Sequence, residues 1–537
     1  MEITRKKRYF LSILSGLLMV LSFPYTGSLF PLVFIAWIPL LLVEHNVYKN
    51  KYKPLKVLLH AYITFFIYNL GASYWILYSQ GGEIGAVLAY FLNGLLMAIV
   101  FYCFHLTKRY IGQKEGYIGI IFYWIGFEYF HYVWELSWPW LSIGNTFATV
   151  PEIVQWYSYT GVLGGGLWIL IVNLIGFKIV DNILYKKESM RIQTPLFYLF
   201  LATVLIPVVF SLITYFTYSE REGDEIEVVI TQPNVDPYNE KFSGDIYAQL
   251  NKFLSIADSL ITPNTQVVLA PETAISRQFY EETFEASSIH AYLMTKLNHW
   301  NGPSLFVGAS TSRSFEEKNS RASRPYSGGP GFYENYNSSL LLDQLNPPQF
   351  VHKTQLVLGV EKLPFSDIFP FLEELSIDNG GTTGTLGVED YPKVLRTKGF
   401  TFAPIVCYES VYGGFIAEQC RMGAEVIFII TNDGWWSTTA GHKQHNEFAR
   451  LRAVETRRYV ARSANTGISS VINQRGDVVA STKYWEPAGL RETVRLNAEP
   501  TFYVTYGDVI GRSFAFVFIL MLIYTAVKYL RSFGKSF

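Results

Sequence analysis

The chain has 537 residues, half of them apolar and 17% aromatic, with only 16% charged. A soluble protein of this size carries nearer a quarter charged residues, so a purely soluble globular chain is excluded. Its 44 basic residues balance 44 acidic ones, leaving no bulk charge for nucleic-acid binding, and three cysteines, Cys103, Cys407 and Cys420, make no disulfide framework.

Apolar segments of about 20 residues, the length that crosses a bilayer, lie near 9–24, 28–44, 57–79, 85–107, 117–136, 161–180, 194–217 and 513–530. They predict eight spans. The first is short with a basic flank, but no small-residue cleavage site follows it, so a retained helix is expected rather than a signal peptide. Lys and Arg crowd one set of connections: Arg5 to Arg8, then Lys49 to Lys56, Lys108 to Lys114, Lys178 to Arg191, and the tail from Lys528 to Lys535. The alternate loops around 25–28, 80–84 and 137–160 have none. The positive-inside bias therefore predicts cytoplasmic termini, with the polar region 220–511 on the outer side. The outer loop at 137–160 is aromatic and reads equally as an interfacial anchor or as part of a lipid entry path.

From Glu225 the pattern changes to short β-branched runs. "EIEVVITQPNV", "TQVVLAPETAI", "PSLFVGAS", the apolar stretch 338–343, "FTFAPIVCYES", "AEVIFIITNDGWW" and "GISSVINQRGDVVAS" read as strands. Residues 239–260, 282–300, 411–422 and 441–460 read as helices. This alternation predicts a layered α/β domain, and near-continuous apolar strands predict a sheet covered on one or both faces.

Ligands of open α/β sheets sit beyond the carboxyl ends of strands. Such ends deliver Glu272, then Lys353, then Cys407 with Tyr408 and Glu409, then Asn432 and Asp433. A thiol is only a few per cent thiolate near neutrality, and a carboxylate in reach can take its proton. If sulfur then attacks a carbonyl, an ammonium and the backbone N–H after Cys407 can hold the oxyanion. Spacing does not bring the three together; each alone also reads as a core thiol or a solvated charge. His442 and His445 stand i, i+3 without a third ligand in view, so no metal is expected. Nor does a phosphate loop or nucleotide motif appear, so no cofactor is expected.

The set "APET" at 270–273, "HK" at 352–353 with Glu361 eight residues on, "CYES" at 407–410 and "TNDGWW" at 431–436 resembles the carbon–nitrogen hydrolase (nitrilase) superfamily. An outer domain of this kind, set between seven N-terminal spans and one C-terminal span, resembles in particular the bacterial apolipoprotein N-acyltransferase family. "QPNV" at 232–235, "YNSSLLLD" at 336–343, "HKQHNEFARLRAVETRRYVARSANTG" at 442–467 and "YVTYGD" at 503–508 extend the resemblance over nearly the whole chain. It implies a multi-pass helical membrane domain (1–219), an extracytoplasmic α-β-β-α nitrilase-like catalytic domain (220–511), and an eighth helix with a cytoplasmic tail (512–537).

The implied activity is transfer of an acyl chain from a phospholipid, through a Cys407 thioester, to the N-terminal amine of a diacylglyceryl-modified lipoprotein. The implied setting is the bacterial cytoplasmic membrane, with the catalytic domain periplasmic and the protein a monomer. Glu272 would be the base, Lys353 the oxyanion partner and Cys407 the nucleophile. Glu361, Tyr408 and Glu409 would support them, and Asn337, Trp435 and Trp436 would contact substrate. The family usually reads Leu-Val-Pro-Phe-Gly-Glu after the lysine, whereas this chain has Leu356, Val357, Leu358, Gly359, Val360 and Glu361. The tight turn is thereby put in question, and Lys362 becomes a rival for the lysine position. The Gly/Thr-rich stretch 373–399 reads as a lid or as a plain surface insertion. Alternatives are a membrane-anchored amidase or nitrilase and, further off, a transporter or receptor with an outer domain. The spans carry few of the charges that line ion pathways, Glu128, His105 and His131 being the exceptions.

Overall fold

A computed structural model describes residues 3–79, 82–220, 223–242, 244–365 and 385–533. The chain divides into two units: Met1–Leu77 with Glu83–Thr217 and Asp508–Phe537, and Tyr78–Gly82 with Tyr218–Gly507.

The first unit is helical. Its elements are α1 (Arg5–Ser22), α2 (Ile38–Lys49), α3 (Leu55–Ala72), α4 (Gly82–Val87), α5 (Asn93–Tyr110), α6 (Gln113–Val133), α7 (Tyr157–Tyr185) and α8 (Thr194–Thr217), closed by a C-terminal helix Val509–Phe533. Among the described residues six segments are long and apolar enough to cross a membrane: Phe30–Lys49, Leu55–Ala72, Gly85–Tyr110, Tyr157–Tyr185, Thr194–Thr217 and Val509–Ser532. The eight expected spans are thus corrected to six by this measure. The other two exist as helices, but α1 opens on Arg5, Lys6, Lys7 and Arg8, and α6 mixes Lys114, Glu115, Glu128 and His131 with tyrosines and glycines. Glu44 is also buried, ion-paired to Lys108 Nζ at 2.6 Å and to His105 Nδ1 at 2.7 Å. Glu128 Oε1 accepts from Trp124 Nε1 at 2.9 Å and Ile143 N at 2.8 Å. Each of these groups thus has polar partners inside the unit, although Glu128 Oε2 and His105 Nε2 find none among the described residues.

The second unit contains strands β1 (Glu225–Gln232), β2 (Thr265–Leu269), β3 (Ile275–Tyr280), β4 (Ser304–Phe315), β5 (Arg324–Pro325), β6 (Phe332–Leu342), β7 (Gln349–His352), β8 (Leu395–Arg396), β9 (Thr401–Val406), β10 (Val426–Thr431), β11 (Val460–Ala464), β12 (Ser470–Ile472), β13 (Val478–Ser481) and β14 (Ala488–Arg495). They form two sheets. One runs β14-β1-β2-β4-β6-β5, with β3 on β4 and β7 on β6; the other runs β13-β12-β11-β10-β9-β8. β1, β2 and β4 are mutually parallel, as are β9, β10 and β11.

Alternation along the strands builds the layers. Val228, Ile230, Val267, Leu269 and Phe306 meet Phe402, Val406, Phe428 and Ile430 in a core between the sheets. The opposite faces, through Val229, Val268 and Leu305, pack on α9 (Ile246–Leu260) and α10 (Ser288–Trp300). Ile405, Ile427 and Ile429 pack on α11 (Gly413–Arg421) and α12 (Ala440–Thr456). Both faces of each sheet are covered, which is why these strands read as unbroken apolar runs.

Two predicted helices are corrected by their caps. The helix expected from 239 starts at Ile246, because the Asp245 carboxylate accepts from Tyr247 N and Ala248 N and so sets the N-terminus. The helix expected to reach 460 ends at Thr456, where Arg457 turns left-handed at φ +54° and leads into β11. In the stretch 373–399, residues 373–384 lie outside the described residues, and the remainder includes β8.

Candidate active site

The parallel strands bring their carboxyl ends to one rim. Glu272 follows β2, Lys353 follows β7, Cys407 follows β9, and Asp433 lies two residues beyond β10. Glu272, Lys353, Cys407, Tyr408, Glu409 and Asp433 are all buried.

Lys353 Nζ donates to Glu361 Oε1 at 2.9 Å and to Glu272 Oε1 at 3.3 Å. Asn337 Nδ2, on β6, donates to Glu272 Oε1 at 2.8 Å and to Glu361 Oε1 at 2.9 Å. Two carboxylates thus share two donors, and both donors on Glu272 converge on Oε1, leaving Oε2 for a further proton. Charge-assisted bonds of this kind hold a side chain in one rotamer. The Glu361 carboxylate also accepts from Val357 N at 2.9 Å, and its own N–H donates to Val357 O at 2.9 Å. The missing Pro-Phe-Gly sequence therefore still yields a tight turn: Gly359 takes φ +81°, a region open to glycine, and its N–H donates to Lys362 O at 2.8 Å. Lys353, rather than Lys362, is the lysine placed against Glu272 and Glu361. Acting together, these carboxylates lift the Lys353 ammonium above its usual range although burial opposes them.

Cys407 sits on a strained elbow at φ +51°, between β9 and a 3₁₀ turn, Cys407–Val411. A left-handed, non-glycine residue costs free energy and persists only where its surroundings hold it. Two buried networks do so. Glu409 Oε2 accepts from Val406 N at 2.8 Å, while its Oε1 accepts from Thr354 N at 2.6 Å and Gln355 N at 3.2 Å. Glu409 thereby ties the elbow to the loop after Lys353; burial pushes its carboxyl up to about 7 despite those three N–H donors. Behind the elbow, Ser410 Oγ donates to Cys407 O at 2.8 Å, and His445 Nε2 lies 2.8 Å from Ser410 Oγ and 3.1 Å from Cys407 O. His445 Nδ1 meets Asp433 Oδ1 at 2.9 Å, and Arg462 donates to Asp433 Oδ2. Burial alone would raise the Asp433 carboxyl, but Arg462 and His445 more than reverse it and hold it below the ordinary range.

The thiol is pushed well above its ordinary range, first by burial and then by the Glu272 carboxylate, with Lys353 opposing. A thiol in that state is protonated near neutrality, so it needs a base at the moment it attacks. This differs from a preformed thiolate–imidazolium pair.

The remaining expected residues are placed as follows. Asn337 has its amide nitrogen committed to the two carboxylates, whereas its buried Oδ1 has no donor among the described residues. The Tyr408 ring packs edge-on against Tyr412 at 5.3 Å. The Trp435 ring meets Tyr238 at 5.3 Å, and the Trp436 ring lies 5.6 Å from His445. His442 stacks on Tyr484 at 3.8 Å and does not pair with His445. Cys407, Asp433 and His445 stand close enough to suggest a metal site, but the Arg462 guanidinium already fills the cationic position on Asp433. Sequence reasoning missed Ser410, His445 and Arg462 as supports and passed over Lys241; an arginine inside the apolar run "YVARSA" was the available signal.

A buried cysteine on a strand-end elbow, with a carboxylate–lysine pair on the same rim of an α-β-β-α sandwich, is an arrangement that can perform thiol acyl transfer. A family model described as carbon–nitrogen hydrolase matches residues 230–496, and one described as the apolipoprotein N-acyltransferase N-terminal domain matches residues 15–175. The apolipoprotein N-acyltransferase of Chlorobaculum tepidum is 29% identical over 515 residues, 94% of either chain. That of Geobacter metallireducens is 27% identical over 527 residues, 94% of this chain and 92% of the relative. Among solved structures, Saccharomyces cerevisiae Nit3, of branch 10 of the nitrilase superfamily, aligns with 52% of this chain and 92% of its own at 16% identity and a TM-score of 0.36. The chain belongs to the apolipoprotein N-acyltransferase family.

Proposed function

We propose that the protein is a multi-pass membrane acyltransferase that moves an acyl chain from a phospholipid to the N-terminal amine of a diacylglyceryl-cysteine lipoprotein. The observation that carries the mechanism is the convergence of Lys353 and Asn337 on one oxygen of Glu272, beside a protonated thiol. Glu272 Oε2 takes the Cys407 proton as sulfur attacks the ester carbonyl. Lys353 faces the oxygen that becomes negative. Collapse breaks the ester C–O bond; the lysophospholipid leaves with the proton from Glu272, and a thioester remains on Cys407. The lipoprotein amine then attacks that thioester and gives its proton to Glu272. The C–S bond breaks, the amide product leaves, and sulfur is reprotonated. Asn337 Oδ1, a buried acceptor with no donor among the described residues, suits an N–H of the incoming amine. Trp435 and Trp436 offer apolar surface for lipid chains.

The first unit anchors the protein in the bacterial cytoplasmic membrane as a monomer. Five of the six apolar helices precede the catalytic unit. If α1 and α6 also cross, seven do. Only with seven do all the Lys/Arg-rich connections fall on one side, which gives cytoplasmic termini and a periplasmic catalytic unit. Incubating the acylated enzyme with a diacylated lipopeptide separates transferase from hydrolase. An amide-linked third chain on the peptide is expected; free fatty acid with unchanged peptide would make the protein a hydrolase.

A further inference from the structure

Lys241 lies in the loop after β1, six residues beyond the "QPNV" stretch. The residue is 4% exposed, and an ammonium so deeply buried is costly unless something requires it. Among the described residues its Nζ has one acceptor, the Glu272 carbonyl oxygen at 3.0 Å, and no ion-pair partner. The loop that carries it is pinned at both ends: Lys241 N donates to Asp236 O at 3.0 Å, and Gln249 Nε2 of α9 donates to Lys241 O at 3.0 Å. The peptide it holds is equally constrained. Thr273, next after Glu272, takes φ +53°, and a Cβ at Gly308 would stand only 2.4 Å from Thr273 N. Gly308 N also donates to Pro271 O at 3.1 Å.

We infer that Lys241 is a positioning residue of the acyl-transfer reaction, locking the backbone that aims Glu272 and supplying a second cation beside that residue. The inference rests on the proposed thioester chemistry. The carboxyl groups of Glu272 and Glu361 share the single ammonium of Lys353, and Lys241 adds a second cation beside Glu272 before a negative oxygen develops on the substrate. The titratable groups that act on Lys241 are Glu272 and Cys407, and burial lowers its ammonium to about 8. Those that act on Cys407 are Glu272, Lys353 and Asp433. Neutral lysine can still fill the space but brings no charge, so the effect depends on pH.

The test compares wild type, Lys241→Met and Lys241→Arg as full-length protein in detergent. Three quantities are read: the melting temperature, the rate of acyl-adduct formation on Cys407 from phospholipid, and the pH profile of Cys407 alkylation by iodoacetamide. The expected result is a roughly 10- to 100-fold slower acylation in Lys241→Met, the scale of a lost charge-assisted contact. Its alkylation profile moves to higher pH, and Lys241→Arg restores both. Unchanged rate and profile in Lys241→Met overturn the inference. So does an equal loss at every pH that Lys241→Arg does not relieve, which marks packing alone. If wild type forms no adduct, the proposed function itself fails, a result distinct from either of these.

Discussion

Replacing Glu272 by glutamine has two consequences that point in opposite directions. The amide keeps an oxygen for Asn337 and Lys353, so the local geometry survives, but it cannot accept a proton. An ordinary thiol is about 3% ionised at pH 7, and burial holds this one well above the ordinary range. Without the base, acylation of Cys407 falls by roughly 10²- to 10⁴-fold. The same substitution removes the carboxylate that, after burial, does most to raise the thiol, while Lys353 and Lys241 remain. A unit charge at about 5 Å in an effective dielectric of about 20 is worth roughly 3 kcal/mol, or about two pKa units. Cys407 in Glu272→Gln is therefore expected to be alkylated about 10- to 100-fold faster than wild type at a fixed pH, even as the enzyme loses activity. Intact-mass kinetics with phospholipid gives the first quantity, and the rate of iodoacetamide labelling at pH 8 gives the second. Acylation within threefold of wild type, or slower alkylation, refutes the assignment of Glu272 as base.

Glu361→Gln leaves Lys353 with a weaker second partner, and acylation is expected to drop about 10- to 100-fold with little change in melting temperature, checked by the same kinetics and a thermal scan. Asp433→Asn takes the charge from beside buried Arg462 and His445 and is expected to cost about 3–5 kcal/mol, measured by denaturant unfolding in detergent. Because the Asp433 carboxyl is depressed, its contribution is present throughout the range above an ordinary carboxylate value and lost only as pH falls below it. The wild-type advantage over Asp433→Asn should therefore stay level from pH 5 to 8. Glu409 has the opposite sign: raised to about 7 by burial, it favours the fold most below about 4.5 and loses that contribution, on the order of 3 kcal/mol, as pH rises through 7. The stability gap between wild type and Glu409→Gln should narrow from pH 5 to 7.5; a widening gap contradicts the raised carboxyl.

Strands buried on both faces were legible, because "VVI" in β1 and "IFII" in β10 leave no polar face to mislead the eye. Glu272, Lys353 and Cys407 were legible as strand ends, but their convergence was not, since it comes from parallel neighbours far apart in sequence. Helix starts were harder. Asp245 caps α9, so that its first residue, Ile246, comes seven residues after the apparent onset at 239, and a single left-handed Arg457 divides one apparent helix into α12 and β11. β14 was hidden by its charged residues, Arg491, Glu492 and Arg495. Lys241 was illegible for another reason: a lone lysine between Tyr238, Asn239 and Phe242 reads as solvated until the backbone folds over it. The same limit applied to Arg462, whose partner Asp433 is brought close only by the pairing of β10 with β11.

Intact-mass and peptide spectrometry of the detergent-purified enzyme, incubated with phospholipid before any acceptor is added, is the direct test of the thioester mechanism. One acyl chain in thioester linkage on Cys407 is predicted, released by hydroxylamine and absent in Cys407→Ser. An active preparation that carries no adduct on that residue, or carries it on Cys103 or Cys420 instead, contradicts it.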